Sequence, residues 1–277
     1  MNPLARNVLE RRPLSGVTVI DAHAHAGPYS LFYIPDADPA AMVRVMDRCG
    51  VALAVLSSHV GLQQDAAAGN RATARAVAEF PGRLLGYLTI NPWHDPEAEL
   101  AAWESDARFA GIKLHPDLHG YPLTGSRYAP VWAHASRAGV PVLCHTWYGS
   151  PYDDPAHIAE VAGRHPDVAL LAGHAGGPEP GIDLSIELAA RCPNVILETC
   201  GSFVTGAHIE RMVGELGPDR VLFGSDFPFI DLRVSLGRTV FARLDDAERA
   251  AVLGGTAAAL FGVSPASRTG AGDEQSH

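Results

Sequence analysis

Short apolar runs and alanine-rich helical stretches alternate eight times along this chain, and that rhythm constrains the fold more than any other feature. The apolar runs lie at 17–23, 51–57, 84–90, 109–114, 140–146, 168–174, 194–199 and 220–225. Near-continuous runs of Val, Ile and Leu of this length suit strands buried on both faces, as in a parallel sheet. Helices are expected between them at 39–49, 66–80, 96–107, 128–138, 154–165, 182–192 and 207–216, with two more at 245–253 and 256–261. Asp38-Pro39 and Asp95-Pro96 read as an N-cap followed by proline at the first helical position. Eight parallel βα units close into a (β/α)8 TIM barrel, an α/β fold that this length accommodates as a single domain. An open doubly wound sheet would require a glycine-rich phosphate loop after the first strand, where HAHAGPYS stands instead. The barrel domain is placed at 17–263, behind an N-terminal extension over 1–16 and ahead of a small polar tail at 264–277 that reads as disordered.

Charge and cysteine usage narrow the partners. The formal net charge is −10, so no basic surface for a phosphate backbone is expected and no nucleic-acid partner. The opening MNPLARNVLERRPL lacks the apolar core of a signal peptide or membrane span. Four cysteines without CxxC spacing read as reduced thiols in a cytoplasmic protein.

Active sites of such barrels form at the C-terminal ends of the strands. The first run ends in His23 and His25, and residues at i and i+2 on a strand share a face. His59 follows the second run and Trp93-His94 the third. The fourth ends in GIKLHP with Lys113 and His115, the fifth in CHTW with His145 and Trp147, the sixth in GHAGG with His174, and the eighth in GSDFP with Asp226. Seven of 13 histidines thus gather at one rim. His23, His25, His145 and Asp226 offer three imidazoles and a carboxylate, a set that suits one divalent metal. Zinc comes first, with manganese, iron or cobalt as alternatives. His174 is left to act as general base or to polarise a carbonyl.

Strand parity sends Ile112 and Leu114 outward and Lys113 and His115 inward, as candidate substrate contacts. Tyr29 and Trp147 join them, in loops that also carry Phe32, Tyr33, Trp93, Tyr148, Phe203, Phe227 and Phe229. Such loops suit a small apolar or aromatic molecule. Each residue also has a plainer reading: core histidines, a turn-capping Asp226, a Lys113 salt bridge, aromatics packed under loops. Their convergence on one rim favours the site.

The ordered motifs DAHAH, GIKLHP, CHT, GHAGG and GSDFP resemble the amidohydrolase superfamily. Within it they resemble the amidohydrolase-related (amidohydrolase 2) branch, which includes aminocarboxymuconate-semialdehyde decarboxylase, resorcylate-type decarboxylases and lactonases. The resemblance spans residues 17–262. It implies that His23, His25, His145 and Asp226 hold the metal and that His174 is catalytic. Binuclear superfamily members use a carboxylated lysine near the place of Lys113. The branch resembled here implies a single ion, so a second metal on carboxylated Lys113 is the lesser alternative.

The expected activity is metal-dependent hydrolysis of an amide, ester or lactone, with His174 and Asp226 managing the proton. The alternative is a nonoxidative decarboxylase on the same scaffold, with His174 protonating the carbon. Only Arg127 and Arg233 are obvious rim arginines, and this scarcity tips the balance toward hydrolysis. An inactive ligand-binding barrel would be missing a ligand or the catalytic residue, and all five are present. The resemblance also makes a homodimer an option, and nothing in the chain calls for a membrane.

Overall fold

The computed structural model describes residues 2–264, so nearly all of the polar tail lies outside the described residues. Eight parallel strands lie side by side in chain order: β1 (Ile20–Ala26), β2 (Leu53–Ser58), β3 (Leu84–Thr89), β4 (Phe109–Leu114), β5 (Val142–His145), β6 (Leu170–Gly173), β7 (Val195–Glu198) and β8 (Val221–Leu222). All eight apolar runs became strands. The first is displaced toward its histidines and begins at Ile20, just after Val19, whose carbonyl accepts from the Ala52 N–H.

The sheet closes where the segment after β8 meets β1. The Ala22 N–H donates to the Phe223 carbonyl (2.9 Å), the His25 N–H to the Phe227 carbonyl (2.7 Å) and the Asp226 N–H to the His23 carbonyl (2.8 Å). Asp21 locks this seam from below, accepting from the N–H of Ser225 at 3.0 Å and from its hydroxyl.

Two apolar layers flank the strands. Ile20, Ala22, Leu53, Val55, Tyr87, Leu143, Leu171, Ile196 and Leu222 meet in one cluster supplied by seven strands, which places it inside the barrel. Ile112 and Leu114 instead pack outward with Tyr128, Val131 and Trp132 under the helix Ala129–Ala138, and Lys113 is thereby turned inward. On β1 the register to β2 runs from Asp21↔Ala54 to Ala24↔Leu56, so three residues on β1 span two on β2. This bulge re-aims the strand. Ile20 and Ala22 join the inner cluster, Ala24 and Ala26 the outer one, and His23 and His25 are left facing the barrel mouth.

The helices follow the expected plan with altered ends. The expected helix 96–107 stops at Trp103, and 182–192 begins earlier, at Glu179. Capping chemistry behaves as read: the N–H of Ala41 donates to Asp38, and that of Ala98 to Asp95. The helix Leu232–Phe241, which follows β8, has no counterpart in the sequence reading. The N-terminal segment carries a helix, Pro3–Leu9, whose buried Ala5 and the Asn2 amide contact the barrel's outer layer. No helix among the described residues is long and apolar enough to cross a membrane.

Candidate active site

Six imidazoles form a chain across the mouth of the barrel. Ring centroids run His59–His25 at 5.1 Å, His25–His23 at 5.1 Å, His23–His174 at 5.2 Å, His174–His145 at 4.9 Å and His145–His115 at 4.0 Å. Five of the six come from the strand ends read in the sequence. His59, which follows the second run, opens the helix His59–Gln63, is fully buried and stacks on His25. His94, the seventh, is exposed and outside the chain.

Burial sets the charge state of this cluster. Removing an imidazolium from water is costly, so all six rings are held below their ordinary range, His59, His145 and His174 to about 3. The acids are pushed the other way: burial raises Asp226, and takes Glu198 to about 8 and Asp21 to about 7. Lys113 is the buried cation at the site; its Nζ lies 2.9 Å from His23 Nε2, and burial lowers its pKa.

Each expected histidine ligand has its Nδ1 held from behind. His23 Nδ1 meets Glu198 Oε2 at 2.9 Å, His25 Nδ1 meets Ser57 Oγ at 3.0 Å, and His145 Nδ1 meets Asp153 Oδ2 at 2.7 Å. A partner on one ring nitrogen fixes the tautomer and presents the other nitrogen to an ion. Neutral imidazoles are also the form that coordinates. Asp226 Oδ1 lies 3.2 Å from His25 Nε2 and 3.9 Å from His23 Nε2, which brings a carboxylate to two of the expected histidine ligands.

Two groupings of metal-capable side chains stand out among the described residues. Donor atoms of His23, His174, Cys200 and Asp226 all lie within 4.8 Å of one another, and so do those of His115, His145 and Asp153. The four expected ligands are thus divided: His23 and Asp226 belong to the first grouping, His145 to the second, and His25 joins through Asp226. His174, expected to stand apart from the metal, lies inside the first grouping.

Backbone strain marks the same place. Six described non-glycine residues have positive φ, and His174 (62°), Ala175 (45°) and Asp226 (61°) are three of them. Such conformations persist where the surroundings over-determine them. Gly224 explains part of the packing: a Cβ there would stand 1.8 Å from Glu198 Oε1, so only glycine leaves room for that carboxyl.

Aromatic rings wall the site on two sides. Phe229 packs on His59 (4.6 Å), Tyr29 (4.8 Å) and His25 (5.8 Å). Opposite, Trp147 stacks beside His145 (6.1 Å) and contacts Phe203 (5.8 Å). The rim arginines are engaged elsewhere, Arg127 over the Trp93 ring and Arg233 with Asp231.

Glu198, Cys200, Asp153 and Ser57 are the residues that sequence reasoning left without a place at this site. None of the four lies in a motif. Only the fold brings them to the histidines.

Comparison with known proteins identifies the family and the fold. A family model described as amidohydrolase matches residues 20–263. A gamma-resorcylate decarboxylase of Rhodococcus jostii (strain RHA1) is 23% identical over 249 residues, covering 69% of this chain and 74% of that protein. The solved structure of a 5-carboxyvanillate decarboxylase from Novosphingobium aromaticivorans, complexed with manganese, superposes with a TM-score of 0.71 at 14% identity, covering 91% of this chain and 99% of that one. A dihydroxybenzoic acid decarboxylase from Polaromonas sp. JS666, with bound manganese and the inhibitor 2-nitroresorcinol, gives 0.68 at 18% identity, covering 90% and 97%. Both structures name manganese rather than the zinc expected first. From the matched model over nearly the whole barrel, the chain belongs to the amidohydrolase family.

Proposed function

We propose that this protein is a divalent-metal-dependent decarboxylase that removes CO₂ from a small hydroxylated aromatic acid. The observation that carries this reading is the shared activity of its curated relatives, gamma-resorcylate decarboxylases that align over 69–79% of this chain. The aromatic walls of Phe229, Tyr29 and Trp147 suit a flat ring. This reverses the preference for hydrolysis drawn from the sequence. Scarcity of rim arginine loses its force once a buried cation, Lys113, is available to meet a substrate carboxylate.

His23, His25, His145 and Asp226 would hold the ion. When bound, such an ion would supply positive charge toward an anionic substrate. Lys113 Nζ adds a charge-assisted hydrogen bond to the carboxylate. The rings of Trp147 and Phe229 orient the substrate ring and exclude water. Decarboxylation breaks the bond between ring carbon and carboxyl carbon, leaves the electron pair on the ring, and needs a proton at that carbon. The sequence reading gave that proton to His174. Asp226 lies in the same grouping as His174, and the two would manage that proton between them. Loss of a proton from a phenolic hydroxyl of the substrate would balance the one delivered to carbon.

The test is product analysis with manganese-loaded protein in deuterated water and a panel of hydroxybenzoates. Release of CO₂ with one deuterium on the ring is expected. Turnover of esters, amides or lactones with solvent oxygen incorporated, and no CO₂ from any hydroxybenzoate, would overturn the reading.

A further inference from the structure

We propose that His59 is a specificity-determining residue whose ring accepts a hydrogen bond from a hydroxyl of the substrate ring. His59 Nδ1 lies 2.7 Å from the Gly27 carbonyl oxygen. A carbonyl oxygen only accepts, so Nδ1 carries its hydrogen and donates it there. Gly27 is itself fixed: it stands in a left-handed conformation (φ 89°), and its N–H donates to the Ala37 carbonyl at 2.7 Å. His59 Nε2 is buried and has no hydrogen-bond partner among the described residues. A second hydrogen on Nε2 would have nothing to bind, so the contacts favour a neutral ring with a bare lone pair.

A buried acceptor calls for a donor. An ion is the poorer candidate, because His59 belongs to neither grouping of metal-capable side chains. Tyr29 meets the ring edge-on and gives Nε2 no hydrogen bond. A molecule from outside is left to supply the donor. The surroundings say what kind. The ring lies beside His25, an expected ion ligand, with centroids 5.1 Å apart and planes at 30°. Phe229 (4.6 Å) and Tyr29 (5.4 Å) also contact it. Both are half-buried and carried by loops at the barrel mouth, so this cover can part without disturbing a strand.

A donor that arrives among apolar rings beside the ion site fits a hydroxyl on a flat ring. A methoxy group has no hydrogen to give, and a phenolate would turn a lone pair toward a lone pair. His59 thus selects a phenol in its protonated form. That the donor is a substrate phenol rests on the decarboxylase reading; the bare acceptor rests on the contacts alone.

The experiment keeps the two apart. Ring nitrogens of His59 are read by nitrogen-15 NMR in zinc-loaded wild type before and after addition of phenol, anisole and 2,6-dihydroxybenzoate. Hydrogen on Nδ1 and a free Nε2 are expected without ligand. Phenol and the dihydroxybenzoate should move the Nε2 resonance as hydrogen bonding does, and anisole should not. Calorimetry then compares 2,6-dihydroxybenzoate with 2-hydroxy-6-methoxybenzoate. Wild type should prefer the first by about 10- to 100-fold, the range for leaving a buried polar group unpaired. His59→Phe keeps a ring beside His25 and removes the acceptor, so it should lose that preference while a thermal melt shows it folded. Should it fail to fold, the wild-type resonances still decide. An Nε2 already hydrogen-bonded without ligand and unmoved by phenol, as a permanent internal water would make it, overturns the proposal. So does a preference that survives in His59→Phe. If phenol moves Nε2 while no hydroxybenzoate is bound or decarboxylated, the acceptor stands and the decarboxylase reading falls. If hydroxybenzoates lose CO₂ with Nε2 unmoved, the reading stands and the inference falls.

Discussion

His25 Nε2 stands 3.2 Å from Asp226 Oδ1 across the seam where the segment after β8 meets β1. One partner is a strand residue, and the other sits in a left-handed turn (φ 61°) whose N–H is anchored to the His23 carbonyl. Geometry of this kind supplies a carboxylate at a fixed place. Asp226→Asn keeps the shape and removes the charge. Metal content after dialysis should fall below one equivalent, with affinity reduced by at least the roughly 10- to 100-fold seen when supporting groups are lost. Elemental analysis beside wild type checks this.

Asp153 acts one step further out. It is fully buried and holds His145 Nδ1 at 2.7 Å. Asp153→Asn should weaken metal binding and activity by about 10- to 100-fold while leaving the fold intact. Competition titration with a chelating dye measures the first effect, and a thermal melt the second.

Lys113 should show stability and activity moving in opposite directions. Its amine is fully buried and burial disfavours its charge. Lys113→Met removes that penalty and should raise the melting temperature. The same change removes a charge-assisted contact worth about 1.5–3 kcal/mol, so kcat/KM toward a hydroxybenzoate should fall by about 10- to 100-fold. A variant less stable and equally active would contradict the assignment.

The pH dependence of the metal-free protein has two opposed limbs. His59, His145 and His174 sit at about 3 when folded against 6.5 ordinarily, so the unfolded chain takes up more protons in that window. Their contribution to stability is full above 6.5 and is lost as pH falls toward 3. Glu198 behaves oppositely. Its folded value of about 8 lies above the ordinary 4.5, so stability is lost as pH rises through that interval. Melting temperatures across pH should rise and then decline, and Glu198→Gln should flatten the alkaline decline alone.

Much of this was legible in the residues because strand ends and chemistry coincide. A parallel strand buried on both faces must be apolar, so a histidine, lysine or aspartate at its end stands out. That logic singled out His23, His25, Lys113, His115, His145, His174 and Asp226 as candidates. It could not find Glu198 or Cys200, whose roles come from contact with His23, far away in the chain. Nor could it find the bulge on β1, which breaks the simple alternation from which inward and outward faces are read. Asp21, two residues before His23, turns to the seam and serves Ser225. The helix Leu232–Phe241 escaped because its stretch, LRVSLGRTVF, mixes β-branched residues and glycine into a helical period.

The seam has a consequence for how the protein is made. β1 emerges early in synthesis, whereas Asp226 follows only after seven further strands. A nascent chain can therefore pair β1 through β7 and still have no complete ion site. The pocket comes into being only when the two ends of the barrel wall meet. An ion clasping His25 and Asp226 would then fasten the one join made by elements from opposite ends of the domain, and its capture would report that the polypeptide had finished folding.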